Sequence, residues 1–194
     1  IVGVGQFLNR DDSDHLSPVD LIVEAARLAA ADCTASKILN ELDVIAVAPI
    51  ISWRYGDPGR LVAEQLRATP TLTMYPSMGG NTPQMLMNEV CRRIAAGELT
   101  SALVCGAEAH RSRKRAKKAG QVLSWETQEP ELQPGWNDGS TFEMGHQAEY
   151  EVGVMMPTQT YPMFENALRH QSGRTQEEHT NFISGIWARY SDVA

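Results

Sequence analysis

Residues 76–83, Pro-Ser-Met-Gly-Gly-Asn-Thr-Pro, combine a hydroxyl, two adjacent glycines and a helix start. Gly79 and Gly80 permit unusual backbone angles and the close approach of a ligand. Asn81 or Thr82 can cap a helix whose free amides favour an anion or a developing oxyanion. The same residues also suit an ordinary strand-to-helix turn, and they lack the spacing of the phosphate-cradling G-x-x-x-x-G-K-[ST] and G-x-G-x-x-G loops. Ser77 is the hydroxyl nearest the glycines, but a serine nucleophile needs an adjacent base, and no sequence neighbour supplies one. His110, beside Glu108 and a basic run, and His146 are the best-placed histidines for proton transfer. Both also read as surface or hydrogen-bonded residues, whereas His15, His170 and His179 read as solvated. No His, Cys and carboxylate cluster has ligand spacing, so no metal site is expected.

The three cysteines, Cys33, Cys91 and Cys105, are an odd number without C-x-x-C or framework spacing. That pattern predicts reduced thiols in a cytoplasmic setting and argues against a disulfide scaffold. Cys91 falls on an apolar helical stripe and reads as a packed core thiol; Cys33 at a helix end and Cys105 in a buried strand read as structural.

The elements that would hold these groups alternate in period along the first ~107 residues. Residues 1–4 read as a buried strand. Ser17, Pro18 and Asp20 mark a helix N-terminus, followed by a stripe of Leu21, Ala25, Leu28 and Ala29. Residues 44–51 are apolar on both alternating sets and suit a strand covered on both faces. Asp57 and Pro58 open a helix to about Arg67 with Val62 and Leu66 on one face. Residues 71–75 form a third strand stopped by Pro76. Pro83 opens a helix whose Leu86, Met87, Val90, Cys91 and Ile94 form one stripe, and Gly97 ends it. Residues 101–106 form a fourth buried strand. Such βαβ units predict an α/β layered fold with a mostly parallel sheet.

The boundary is placed at 110, with 1–110 an α/β half and 111–194 a loop and helical region. Residues 107–140 are charged, Pro-rich and Trp-containing, and too long for a structureless connection, which makes them functional or partly ordered. Thr158 is read as the cap of a helix reaching His170. Thr175 with Glu178 forms a capping box for a last helix striped by Phe182, Ile183, Ile186, Trp187 and Tyr190.

The formal charge of −7 hides an asymmetry, because residues 111–118 (RSRKRAKK) hold 6 of the 17 cations. The remaining surface, with 11 cations against 24 carboxylates, repels nucleic acid and anionic lipid. The basic run reads first as a solvated face and second as a contact for a phosphate-bearing ligand such as coenzyme A; nucleic acid is not an expected partner. No stretch approaches the ~18 apolar residues of a membrane helix. The chain opens on Ile1 with no charged leader, and it reads as a piece of something longer.

Three segments in order resemble the thiolase superfamily. SMGGNTPQMLMNEVCRRIAAGELTSALVCGAEA is similar to that family's nucleophile turn, helix ending I-x-x-G, strand and G-x-E segment. FEMGHQAE at 142–149 matches its M-G-x-x-A-E segment at Met144, Gly145, Ala148 and Glu149. GRTQEEH resembles its S-R-x-x-Q-D helix start, after an insertion of roughly ten residues near 155–170 relative to the family pattern. The likeness is greatest to the sterol-carrier-protein-thiolase side of the family, the proteins often labelled acetyl-CoA acetyltransferases.

The resemblance implies a thiolase-like layered fold and acyl-CoA binding in lipid or acyl metabolism. Coenzyme A would be the acyl carrier and substrate, with no resident cofactor. Met144, Gly145, His146, Arg111 and Arg113 are the expected contacts for it, and Ser77, Gly79, Gly80 and Asn81 form the turn at the nucleophile position. Counting back from Gly97 places the family's cysteine on Gly80, so cysteine-dependent thiolysis is not expected. Two alternatives follow from the same resemblance. One is a carbon–carbon lyase (aldolase) on this fold working with a small partner domain, and the other is a non-catalytic acyl-CoA-binding protein. A homodimer pairing through residues 71–75 is expected, with a monomer as the alternative, and the family's histidine and second cysteine motifs would lie in a C-terminal half outside this sequence.

Overall fold

The computed structural model describes residues 1–11, 13–33, 37–129, 131–139 and 145–193. The chain divides into two compact units, residues 1–141 and 142–194.

The first unit is α/β. Three parallel strands, β1 (Val44–Val47), β2 (Leu72–Met74) and β3 (Ala102–Cys105), lie in the order β2-β1-β3, with Val44 opposite both Leu72 and Ala102. β1 is buried on both faces, as its unbroken apolar run predicts. Pro49 cannot donate to a ladder, and the strand ends before it. Asp43 ties the amino end together: its carbonyl accepts from the Thr71 and Leu72 amides, and its carboxylate from the Thr100 amide and hydroxyl. Those bonds, the Thr100 hydroxyl first, hold the Asp43 carboxyl below its ordinary value.

Two helices cover one face of the sheet and one covers the other. α1 (Pro18–Asp32) starts at the expected capping box, in which the Ser17 hydroxyl accepts from the Asp20 amide and the Asp20 carboxylate from the Ser17 amide. α2 (Pro58–Leu66) starts on Asp57 and packs Val62 and Leu66 with Val19, Ile22, Val23, Ile45 and Val47. α3 (Thr82–Ala95) lays Leu86 and Val90 on Val44, Ala46 and Met74 from the opposite side.

Asp57 is buried, and its carboxylate accepts from both the Arg60 amide and the Thr73 hydroxyl (2.8 Å). Asp57→Ala removes a cap and leaves that hydroxyl short of a partner. We expect a loss of about 2 kcal/mol, read as a lower urea midpoint.

Several sequence expectations are corrected here. Residues 1–4 are not a strand. Ile1 and Val2 are 97% and 73% exposed, and the segment runs along α1, with Gly3 against the Ala29 carbonyl and the Val4 amide on the Asp32 carboxylate (2.9 Å). Glycine lets this backbone approach a helix closely, so its contacts go to α1 and not to a strand ladder. The described residues therefore hold three strands, not four. The buried face of α1 is Val19, Ile22, Val23, Ala26 and Ala30; Leu28, assigned to the stripe, is exposed. The helix is apolar on two sides, and the β-branched side meets the sheet. On α3 only Leu86 and Val90 of the stripe are buried, while Cys91 and Ile94 are exposed, because a single sheet face contacts the helix on one side. β3 is half-buried, pairing with β1 alone among the described residues.

Glu89 on α3 accepts from Arg92 and Arg93 one turn on, at 2.7–3.0 Å, and these bonds hold its carboxyl down to about 2. A depressed carboxyl stabilises the fold above its ordinary value of 4.5, and that contribution disappears as the pH falls towards 2. The pairs are solvent-screened, so Glu89→Gln should remove about 1 kcal/mol at pH 6 and almost nothing at pH 2, measured by urea unfolding at both.

Beyond β3, the basic run forms α4 (His110–Lys118), and the segment around Trp136 returns to the carboxyl end of β2. In the second unit, α5 (Gln147–Glu151), α6 (Pro157–Gln171) and α7 (Gln176–Val193) follow. α7 starts at the expected box, with the Thr175 amide and hydroxyl on the Glu178 carboxylate. The Thr158 cap is corrected: the Gln159 side chain accepts from the Met155 and Met156 amides, and α6 begins at Pro157. His179, read as solvated, is buried and bonds Glu165 at 2.7 Å. Among the described residues no helix is long and apolar enough to cross a membrane.

Candidate functional site

The loops after β1, β2 and β3 meet at the carboxyl edge of the parallel sheet, the usual ligand position in open α/β folds. Glu108, after β3, grips the loop after β1: its two carboxylate oxygens accept from the Ile51 and Ser52 amides at 2.7 and 2.8 Å. The Ser52 hydroxyl accepts from the Ala109 amide, and the Arg113 guanidinium donates to the Ser52 carbonyl at 3.1 Å. Tyr75, at the end of β2, accepts from the Ile50 amide through its phenol oxygen. Burial pushes the Tyr75 phenol up, which keeps it neutral. These bonds make the edge a braced frame.

The turn after β2 sits on this frame. Thr82 bonds back to the Gly79 carbonyl through its amide and hydroxyl (3.2 and 2.6 Å), which closes the turn into α3. Asn81 occupies the cap position but makes no side-chain cap bond. Gly80 is exposed, and a Cβ built on it meets nothing within 4 Å. Its backbone is not in the left-handed region. A side chain would fit there without strain.

A strap from residues 134–139 closes over the end of β2. Trp136 bridges Met74, with its amide on the Thr73 carbonyl (2.9 Å) and its carbonyl on the Tyr75 amide (3.1 Å). Two residues on, the Asp138 carboxylate accepts from the Ser77 amide at 2.9 Å. Gln128 anchors the approach to the strap by accepting from the Gly56 and Asp57 amides. Sequence reasoning missed Asp138, Trp136 and the Glu108 grip; the length of 107–140, too great for a structureless connection, was the signal of order in that stretch.

The expected residues are placed as follows. Ser77, Gly79, Gly80 and Asn81 share the turn. Arg111 lines a cavity of about 350 Å³ beside the end of β3, together with Ser112, Arg115 and the segment around Gly5–Asn9. Arg113 is engaged by Ser52. Gly145 and His146 belong to the second unit. There the His146 ring Nδ1 accepts from the Ala148 amide and its own amide donates to Glu149, a capping role. Met144 lies outside the described residues. Among the described residues no group of His, Cys, Asp and Glu could hold a metal ion.

Comparison with known proteins adds a structural likeness. No family model and no curated protein matches the sequence. The similarity is to an SCP2-thiolase like protein. This solved structure, a monomeric SCP2-thiolase like protein type 1 from Mycobacterium smegmatis, is 35% identical over 52% of the present chain, with a TM-score of 0.45. The match spans 21% of that protein.

Proposed function

We propose that this chain is the acyl-CoA-binding α/β part of a thiolase-like protein of lipid or acyl metabolism, of the acetyl-CoA acetyltransferase-like class, acting without cysteine-dependent thiolysis. The observation that carries this reading is the turn after β2. It lies at the carboxyl edge of a parallel sheet and leads into a 14-residue helix, with Gly80 open at the position where the sequence motifs place a nucleophile. The ordered succession of thiolase-like segments supports it. Three free thiols suit a reducing, cytoplasmic setting.

Titration calorimetry of the chain with acetyl-CoA tests the reading: saturable one-site binding without a change in intact protein mass supports it. No heat at millimolar ligand would remove it.

A second reading is a carbon–carbon lyase working with a partner domain. In that reaction a base accepts the β-hydroxyl proton, the adjacent carbon–carbon bond breaks, its electron pair passes into the thioester enolate, and the enolate carbon takes up a proton to give acetyl-CoA. Release of acetyl-CoA from a β-hydroxyacyl-CoA separates that reading from simple binding. A homodimer through β2 would have to displace Trp136 from the strand edge, and sedimentation at micromolar concentration measures whether it forms.

A further inference from the structure

The second unit carries a groove that the acyl-CoA reading does not use. It lies between α6 and α7, has a volume of about 620 Å³, within the range of small-molecule sites, and is lined by Leu168, Phe182, Ile183, Ile186, Trp187 and Tyr190. A brace across the hairpin holds its wall: the Glu165 carboxylate is engaged by the buried His179 ring at 2.7 Å. Polar groups gather at one end. Gln171, Ser172 and Arg174 come from the turn that joins the two helices, whereas the apolar side chains run on along α7, on the order of 12 Å from Phe182 to Tyr190. Arg174 is half-buried and lines the groove, with its guanidinium carbon 4.1 Å from the centroid of the Phe182 ring. A guanidinium stacked on an aromatic face keeps its in-plane N–H donors for an acceptor. Among the described residues Arg174 forms no ion pair, and the neighbouring Glu178 carboxylate is held by the Thr175 amide and hydroxyl. Arg169 donates to the Arg174 carbonyl at 3.3 Å, which brings a second cation to the same end.

We propose that this groove is a binding site for an amphipathic monocarboxylate, with the carboxylate on Arg174 and the apolar chain along Ile186, Trp187 and Tyr190. The class follows from charge and length. An apolar face alone would take any hydrophobic body, but a cation at one end without a carboxylate partner favours an anion there, and a planar guanidinium fits a carboxylate with two parallel bonds. The apolar stretch suits a chain of medium length, and covering Trp187 and Tyr190, 66% and 63% exposed, removes apolar surface from water. The site is independent of the acyl-CoA reading: its residues all belong to the second unit, and Arg174 recognises a free carboxylate, which a thioester lacks.

Titration of the chain with decanoate, decanol and acetate, each below micellar concentration, tests this in the wild type, Arg174→Gln, Arg174→Lys and Trp187→Phe. Thermal melting of each variant reports its fold. Wild type should bind one decanoate, decanol about tenfold more weakly, and acetate not measurably. Arg174→Gln should bring decanoate down to the affinity of decanol while leaving decanol unchanged, and Arg174→Lys should keep part of the preference. Decanoate should also change the tryptophan fluorescence of the wild type and not that of Trp187→Phe, which places the chain of the ligand in this groove. Equal affinities for decanoate and decanol in the wild type, no decanoate binding, a preference that survives Arg174→Gln, or a fluorescence change unaltered by Trp187→Phe overturns the proposal. So does a wild-type dimer in sedimentation that Trp187→Asp dissociates and decanoate does not, because a second copy then occupies the face. Each of these failures leaves the acyl-CoA reading standing.

Discussion

At pH 8 a thiol reagent such as DTNB is expected to modify Cys91 quickly and Cys105 more than about tenfold more slowly. Cys91 sits on the outward side of α3 and is exposed. Cys105 lies in β3 with its Sγ towards the Ala46 carbonyl (3.6 Å), and burial pushes its thiol up to about 12. Burial disfavours the thiolate, and the thiolate is the reacting species. Restricted access slows the reaction further. Cys33, half-buried at the end of α1, should fall between the two. In urea all three should react alike. Peptide mapping of the labelled protein decides the order: fast native labelling of Cys105, or a protected Cys91, would contradict the placement of α3 and β3.

That ordering reverses part of what the sequence suggests, and the reason is physical. Periodicity shows which positions of a helix share a face; it does not show how many faces are covered. On α3 the stripe from Leu86 to Ile94 is wider than the contact a three-stranded sheet offers, so Leu86 and Val90 are buried and Cys91 is not. On α1 two apolar sides compete, and Val19, Ile22 and Val23 win because they lie on the side that reaches Ile45 and Val47. Residues 1–4 show the limit for strands: an apolar alternation describes a strand only where a second backbone supplies the ladder, and the partner of this segment is α1.

The alternation of elements was legible because each is bounded by local chemistry: Ser17 with Asp20, Asp57 with Pro58, Pro76, Gly97, and Thr175 with Glu178. The turn at 76–81 was legible for the same reason. Asp138 was not, because its partner Ser77 is 61 residues away and nothing in the strap's composition names the strand it will bridge. His179 also escaped, since its burial depends on Glu165 of a different helix. Local signals thus located the turn, while the groups that brace it and the neighbouring loop, Asp138 and Glu108, came from long-range pairing.

The open turn leads to the second large effect. Wild-type protein incubated with acetyl-CoA should carry no stable acetyl group on Cys33, Cys91 or Cys105. Cys91, although exposed, lies ten residues beyond the cap of α3, far outside the first turn where the helix dipole acts, and its neighbours Arg92 and Arg93 are engaged by Glu89. Gly80→Cys changes this. The new side chain enters open space on a backbone that L-residues adopt readily, one residue before the cap, where the helix N-terminus favours a thiolate. Iodoacetamide at pH 7 should therefore alkylate Cys introduced by Gly80→Cys about tenfold faster than Cys91, with no loss of thermal stability. Acetyl transfer from acetyl-CoA to that thiol, seen as a single added acetyl mass, would place the bound thioester at the turn. A stable acetyl group on Cys91 of the wild type would instead mean that the turn has been misaligned with the nucleophile position, and that α3 presents its reactive thiol three turns further on.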